Sequence, residues 1–167
     1  MKVLVTGANG FLGSWLVRKL GELDVDVRIL VRETSDLSEL EGARFEKAFG
    51  DVTDKASVIE SCKGVDVVFH LAGLVAYTRK DRKRMEDVNV GGTANIIDAV
   101  EAAGVERLVH VSSVTAVGAS FDRVPLNENS PYNIKHLDLG YFETKRESEE
   151  LVIEAVKSGR IDAVMVN

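Results

Sequence analysis

Six short runs rich in β-branched and apolar residues alternate with longer stretches of helical period, and this alternation narrows the folds open to the chain more than any other feature. The runs are KVLVT (2–6), VDVRILV (25–31), ARFEKAF (43–49), VDVVFH (65–70), ERLVHVS (106–112) and IDAVMV (161–166). Several are apolar at successive rather than alternate positions, the pattern of strands buried on both faces. Between them, helices are expected over 11–20, 54–61 behind an N-cap at Thr53, 81–103 and 139–157. Strands and helices that alternate in this way bury their apolar surfaces as a parallel sheet covered on both faces, so the fold class is α/β and doubly wound. With 167 residues the chain is expected to form one domain with a substantial core.

The turn behind the first strand sharpens this reading. In TGANGFLG, Gly7, Gly10 and Gly13 recur at every third position, and each loses more backbone entropy on folding than any other residue would. A strand that ends at Thr6, turns through glycine and opens a helix near Phe11 aims free N–H groups and a positive helix end at one point. Phosphate is the expected occupant, and a nucleotide site the expected function of the turn. A glycine-rich first turn in a doubly wound sheet also favours the strand order 3-2-1-4-5-6.

Composition excludes several classes of partner. The formal net charge of -6 gives no general attraction to nucleic acid or to an anionic membrane. No apolar run approaches the roughly 18 residues of a membrane span, and the first strand starts at Lys2, so a cytoplasmic protein is expected. The single cysteine, Cys62, reads as structural, and His70, His110 and His136 are scattered without metal-ligand spacing, so no metal is expected. The basic run RKDRKR (79–84) has Asp81 within it in an acidic chain and reads as solvated surface in preference to a phosphate-binding patch. The stretch 118–138 holds both prolines and is the one long irregular segment; loops of that length are usually functional or mobile.

In a doubly wound sheet a ligand lies beyond the carboxyl ends of the strands at the point where the order reverses, which makes the residues just after each strand informative. After the second strand stands Arg32. A planar guanidinium suits the oxygens of a ribose 2′-phosphate, so NADP is preferred over NAD, although Glu33 next to it offers a carboxylate to a ribose hydroxyl. After the fifth strand come Ser112 and Ser113, whose hydroxyls can donate to a substrate oxygen or cap a turn. Tyr141 and Lys145 are four residues apart on an expected helix and so share a face. A phenol titrating near 10 is a poor acid or base at neutral pH, and an adjacent ammonium favours its ionised form.

Taken together, TGANGFLG, GDVTD (50–54), HLAG (70–73), VNVGGT (88–93), VSSV (111–114) and Tyr141-xxx-Lys145 resemble the extended short-chain dehydrogenase/reductase superfamily. Within it the chain is similar to the NAD-dependent epimerase/dehydratase group, and to the dihydroflavonol-4-reductase-like branch in LVRETSDLSELEG (30–42). The resemblance implies an NAD(P)-binding Rossmann domain over 1–167. It assigns Gly7, Gly10, Phe11, Leu12 and Gly13 to the pyrophosphate and Asp51 and Val52 to the adenine. Leu71, Ala72 and Gly73 fall to the ribose beside the nicotinamide, and Asn89 to the support of that end. Asp51 as a turn cap, and Asn89 with Gly91 and Gly92 as a helix-packing site, are the structural alternatives.

The same resemblance implies hydride transfer between nicotinamide and a carbonyl or alcohol substrate, with Ser113, Tyr141 and Lys145 as the catalytic set. Ser113 is preferred to Ser112 because the active hydroxyl is second in this pair. A sugar-nucleotide epimerase or dehydratase holding NAD tightly would use the same three residues, whereas a non-catalytic dinucleotide-binding module would need only the glycine turn. The resemblance further implies pairing of two copies through 81–103 and 139–157, and a smaller carboxyl-terminal lobe shaping the substrate pocket that the 167 residues do not contain.

Overall fold

A computed structural model describes residues 1–167. Its six strands are β1 (Lys2–Thr6), β2 (Asp26–Val31), β3 (Glu46–Phe49), β4 (Val67–His70), β5 (Arg107–Val111) and β6 (Ala163–Val166). All pair in parallel in the order β3-β2-β1-β4-β5-β6, as the sequence predicts. The order reverses between β1 and β4, where connections leave toward opposite faces and a crevice opens at the carboxyl ends.

Alternation along β1 divides the core between the faces. Val3 and Val5 pack with Val17 and Leu20 of α1 (Phe11–Gly21). Leu4 faces the other way, into the larger cluster formed with Val58 of α2 (Lys55–Cys62), Ile96 and Val100 of α4 (Gly92–Ala103), and Val152 of α5 (Gly140–Lys157). A strand apolar on both sides is thus buried by helices above and below.

Most element ends shift from the sequence expectation by one or two residues, and three departures have a visible local cause. The third strand begins at Glu46, not 43, because the Ala43 N–H closes a turn onto the Leu40 carbonyl at 3.0 Å. The N-cap of α2 is Asp54, whose carboxylate accepts from the Ala56 N–H at 3.2 Å, while the Thr53 hydroxyl turns back to Asp51 Oδ1 at 2.8 Å. The helix expected over 81–103 is composite. A short α3 (Arg82–Met85) runs into a π-helical turn at Glu86–Gly91 before α4 begins, and such wide turns are frequent where a side chain must be re-aimed into a site.

Candidate active site

The glycine turn is shaped first by the protein's own backbone. Gly7 adopts φ +67, and a Cβ there would lie 2.6 Å from the Ala72 nitrogen across the crevice. A Cβ on Gly13 would lie 2.1 Å from the Gly7 carbonyl oxygen. Both glycines let β1, α1 and the segment after β4 approach one another, whereas Gly10 has ordinary dihedrals and a Cβ there would meet only the Gly7 oxygen, at 3.3 Å. What the turn then presents is an uncapped helix end. Gly10, at the N-cap of α1, offers no side-chain acceptor, the first turn holds no acid, and the N–H groups of Phe11, Leu12 and Gly13 have no partner in the protein. Phe11 is 84% exposed. A cradle with three free donors and a positive dipole fits a pyrophosphate.

On the β2 side the turn continues into a cleft of about 190 Å³ bordered by Gly7, Arg32, Ser35, Asp51, Val52 and Arg84. Arg32 enters it as the sequence predicts; its backbone N–H is tied to Ser35 Oγ at 3.1 Å, and its guanidinium pairs with nothing in the protein. Asp51 caps a local turn through Oδ1, which accepts the Thr53 N–H at 3.0 Å, and Oδ2 has no partner within the chain. Both readings of Asp51 are therefore compatible at once. Val52 sits in the core, its carbonyl accepting from Asn95 Nδ2 at 2.9 Å. Arg84 is the residue the sequence reading missed. It belongs to the basic run taken as solvated surface, and only the path of α3 carries it to the cleft while neighbouring Arg82 and Lys83 form ion pairs with Glu86 and Asp87.

A buried polar web fixes the β4 side. Thr93 has one hydroxyl proton and gives it to the Asn89 carbonyl at 2.6 Å, so its oxygen accepts from His70 Nε2–H at 3.2 Å. His70 Nδ1 is then the acceptor for the Thr6 hydroxyl at 2.8 Å, and Thr6 Oγ1 in turn accepts the Ala72 N–H at 3.2 Å. In a neutral ring this chain of donors and acceptors selects the Nε2–H tautomer. Burial, then the charges of His110 and Lys145, holds its pKa well below the usual imidazole range.

Asn89, 2% exposed, grips Leu74 through both backbone groups, accepting from its N–H at 2.7 Å and donating to its carbonyl at 3.0 Å, and also donates to Thr144 Oγ1 at 3.0 Å. Its amide is thus consumed within the protein, and it shapes the site by holding the Leu71–Ala72–Gly73 segment. Gly92, by contrast, serves packing, since a Cβ there would meet Val52 at 3.0 Å.

Of the three catalytic candidates, Ser113 stands just past the end of β5 and Lys145 reaches that strand end from α5. Lys145 is 6% exposed, and its Nζ donates to the Val111 carbonyl at 2.8 Å, two residues before Ser113. Burial lowers its pKa to about 8 against the opposing charge of Glu149. Ser113 Oγ accepts from the Thr115 N–H at 3.2 Å and the Thr115 hydroxyl at 2.9 Å. It therefore caps the turn at Val114–Ala116 and keeps its own proton free to donate outward. Ser112 is buried with its hydroxyl unpartnered. Tyr141 stands one turn before Lys145 on α5, with no hydrogen bond on its hydroxyl, and borders a cavity of about 310 Å³ lined by Tyr77, Met85, Leu139 and Phe142. Tyr132 is otherwise engaged. Burial and the Glu143 carboxylate push its phenol up to about 12, and Arg146 lies over its ring at 5.8 Å. No hydrogen bond links Ser113, Tyr141 and Lys145 directly, and the cavity that Tyr141 borders is lined by neither Ser113 nor Lys145.

Comparison with known proteins agrees with the fold. Residues 4–162 match the 3-beta hydroxysteroid dehydrogenase/isomerase family. The chain is 37% identical over 170 residues to sterol demethylase protein B of Methylococcus capsulatus, covering 100% of this chain and 50% of that protein. It is 34% identical over 163 residues to a putative dihydroflavonol 4-reductase of Synechocystis, covering 98% and 47% respectively. Among solved structures it superposes with a TM-score of 0.83, at 32% identity, on a short-chain dehydrogenase/reductase superfamily protein from Agrobacterium tumefaciens with bound NAD, covering 99% of this chain and 48% of that one. The chain spans about half the length of these relatives. No helix is long and apolar enough to cross a membrane. Matched over residues 4–162 and sharing the parallel sheet order, the chain belongs to the 3-beta hydroxysteroid dehydrogenase/isomerase family of the extended short-chain dehydrogenases/reductases.

Proposed function

We propose that this chain is the cofactor-binding and proton-transferring part of an NADP-preferring oxidoreductase that interconverts a small-molecule carbonyl and its alcohol. The observation that carries the reading is the placement of Lys145. Its ammonium is buried against the Val111 carbonyl one helical turn from Tyr141, where a solvated surface lysine would have no reason to be. A bound nicotinamide supplies the hydride. Ser113 donates its free proton to the substrate oxygen, and Tyr141 exchanges its phenolic proton with that same oxygen as charge develops on it. Lys145 provides the positive charge beside the phenol and a donor for the cofactor ribose. The cavity beside Tyr141 offers the substrate the aromatic and apolar side chains of Tyr77, Met85, Leu139 and Phe142 together with the charged Arg79, Arg82 and Asp138.

The uncapped end of α1 supports binding of a pyrophosphate, and the unpaired guanidinium of Arg32 supports a 2′-phosphate. Two copies pair through α3–α4 and α5, an arrangement that sedimentation would detect. Tyr141→Phe is the decisive variant: turnover by the whole protein falls by about 10²-fold or more, the scale of a lost general acid, while the cofactor dissociation constant stays within about twofold. Retained turnover would overturn the assignment.

A further inference from the structure

We infer that Arg84 is a specificity-determining residue that works with Arg32 as a two-armed clamp for a phosphate monoester on the adenosine ribose. The inference rests on the NADP reading above and adds to it a residue from a different element.

Two cavities meet at this pair. The cleft of about 190 Å³ along the glycine turn and a second, shallower hollow of about 560 Å³ over Thr53 and Asn95 share Arg32, Asp51, Arg84 and Val88 in their linings. The two arginines therefore border the passage between them, one from the end of β2 and one from α3. Neither guanidinium makes a hydrogen bond or ion pair with the protein, although the adjacent Arg82 and Lys83 both do. Two like charges on one rim repel, and the one carboxylate that borders both cavities without a cationic partner, Asp51, offsets only part of that charge. Asp51 has a single unengaged oxygen, and Asp87 is paired with Lys83. A tetrahedral dianion has three terminal oxygens, enough to accept from both forks at once, and converts the repulsion into two charge-assisted contacts.

The position of the passage selects among phosphates. It lies on the β2 side of the glycine cradle, beyond Asp51, and not over the N-terminus of α1. The geometry thus points to a second phosphate on the adenosine half and not to the pyrophosphate. The helical spacing is apt: Arg84 and Val88 stand four apart, so Val88 offers an apolar floor one turn beyond the cation.

The test is a set of titrations of the protein with NADPH, NADH, 2′,5′-ADP, 5′-ADP and inorganic phosphate, using wild type, Arg84→Gln, Arg32→Gln and the double variant, with melting curves to verify folding. The expected result is that Arg84→Gln weakens NADPH and 2′,5′-ADP by about tenfold, the scale of one exposed charge-assisted contact, and leaves NADH and 5′-ADP within about twofold. The double variant loses less than the product of the single losses, because the arms share one ligand. Inorganic phosphate competing equally well with 2′,5′-ADP would mean a free-anion site and overturn the ribose assignment. Equal weakening of NADPH and NADH by Arg84→Gln would overturn the clamp in favour of a contact to the adenine or a packing role. Selective loss of NADPH in Arg32→Gln but not in Arg84→Gln would remove Arg84 while leaving the NADP reading intact. A wild type that prefers NADH, with both variants indifferent, would remove both.

Discussion

Replacing Gly13 by alanine isolates what the glycine turn does for folding from what it does for binding. The added Cβ would stand 2.1 Å from the Gly7 carbonyl oxygen and 2.8 Å from the Ala8 Cα. Both are backbone atoms, so no side chain can swing aside, and about 1 Å of room must come from moving α1 off β1. Overpacking of this kind costs about 1–3 kcal/mol, and the rigid surroundings place Gly13→Ala near the upper end. Alanine's better helix propensity returns up to about 1 kcal/mol, leaving a net loss of about 2 kcal/mol and a melting temperature lower by about 4–8 °C for a chain of this size. Gly10→Ala is the control. Its φ of -82 suits alanine and its Cβ would meet only the Gly7 oxygen at 3.3 Å, so stability changes by less than about 0.5 kcal/mol. Gly10 is the N-cap residue beside the free N–H groups of α1, so a methyl there is expected to crowd a bound phosphate and lower cofactor affinity by about tenfold or more. Urea unfolding measures the first quantity and cofactor fluorescence titration the second. Equal destabilisation by the two variants, or an unaltered melting point in Gly13→Ala, would refute the assignment of Gly13 to packing and Gly10 to the ligand.

Lys145 offers a test through pH. Its folded pKa of about 8 lies below the unfolded value, so its charge opposes folding at neutral pH and this opposition is relieved as pH rises from about 8 toward 10.5. Relative to Lys145→Met, wild type should gain on the order of 1 kcal/mol per pH unit across that window, and a flat difference in urea unfolding would contradict the burial argument. In the same window kcat/KM for the cofactor should fall as the ammonium is lost. Asn89→Ala removes three side-chain hydrogen bonds, each worth about 1 kcal/mol with its partner left behind. A loss of about 3 kcal/mol is expected, together with weaker binding of both NADPH and NADH; unchanged affinity would show that the Leu71–Leu74 segment needs no such support.

Much of the architecture was legible in residues near one another in the chain. Strands apolar on both faces, the glycine spacing and the helical periods specify a parallel doubly wound sheet because each reports local backbone geometry and the burial it requires. The i,i+4 relation of Tyr141 and Lys145 is likewise a property of one helix. Two of the local boundary errors, at Thr53 and at residues 43–45, came from competing hydrogen bonds whose choice between near-equal partners no propensity decides.

Tertiary structure decided the rest. The π-turn at Glu86–Gly91 leaves Asn89 gripping Leu74, and nothing in VNVGGT specifies that contact across 15 residues. The neutral tautomer of His70 follows only from the Thr6 and Thr93 hydroxyls that β1 and α4 bring to either side of its ring. Arg84 looks in the sequence like one more charge in a basic run, and only the path of α3 separates it from its paired neighbours and brings it to the cleft that Arg32 also borders. Periodicity records which face of an element is buried, but it holds no information about which distant group lies against that face, and the chemistry of this site depends on those distant groups.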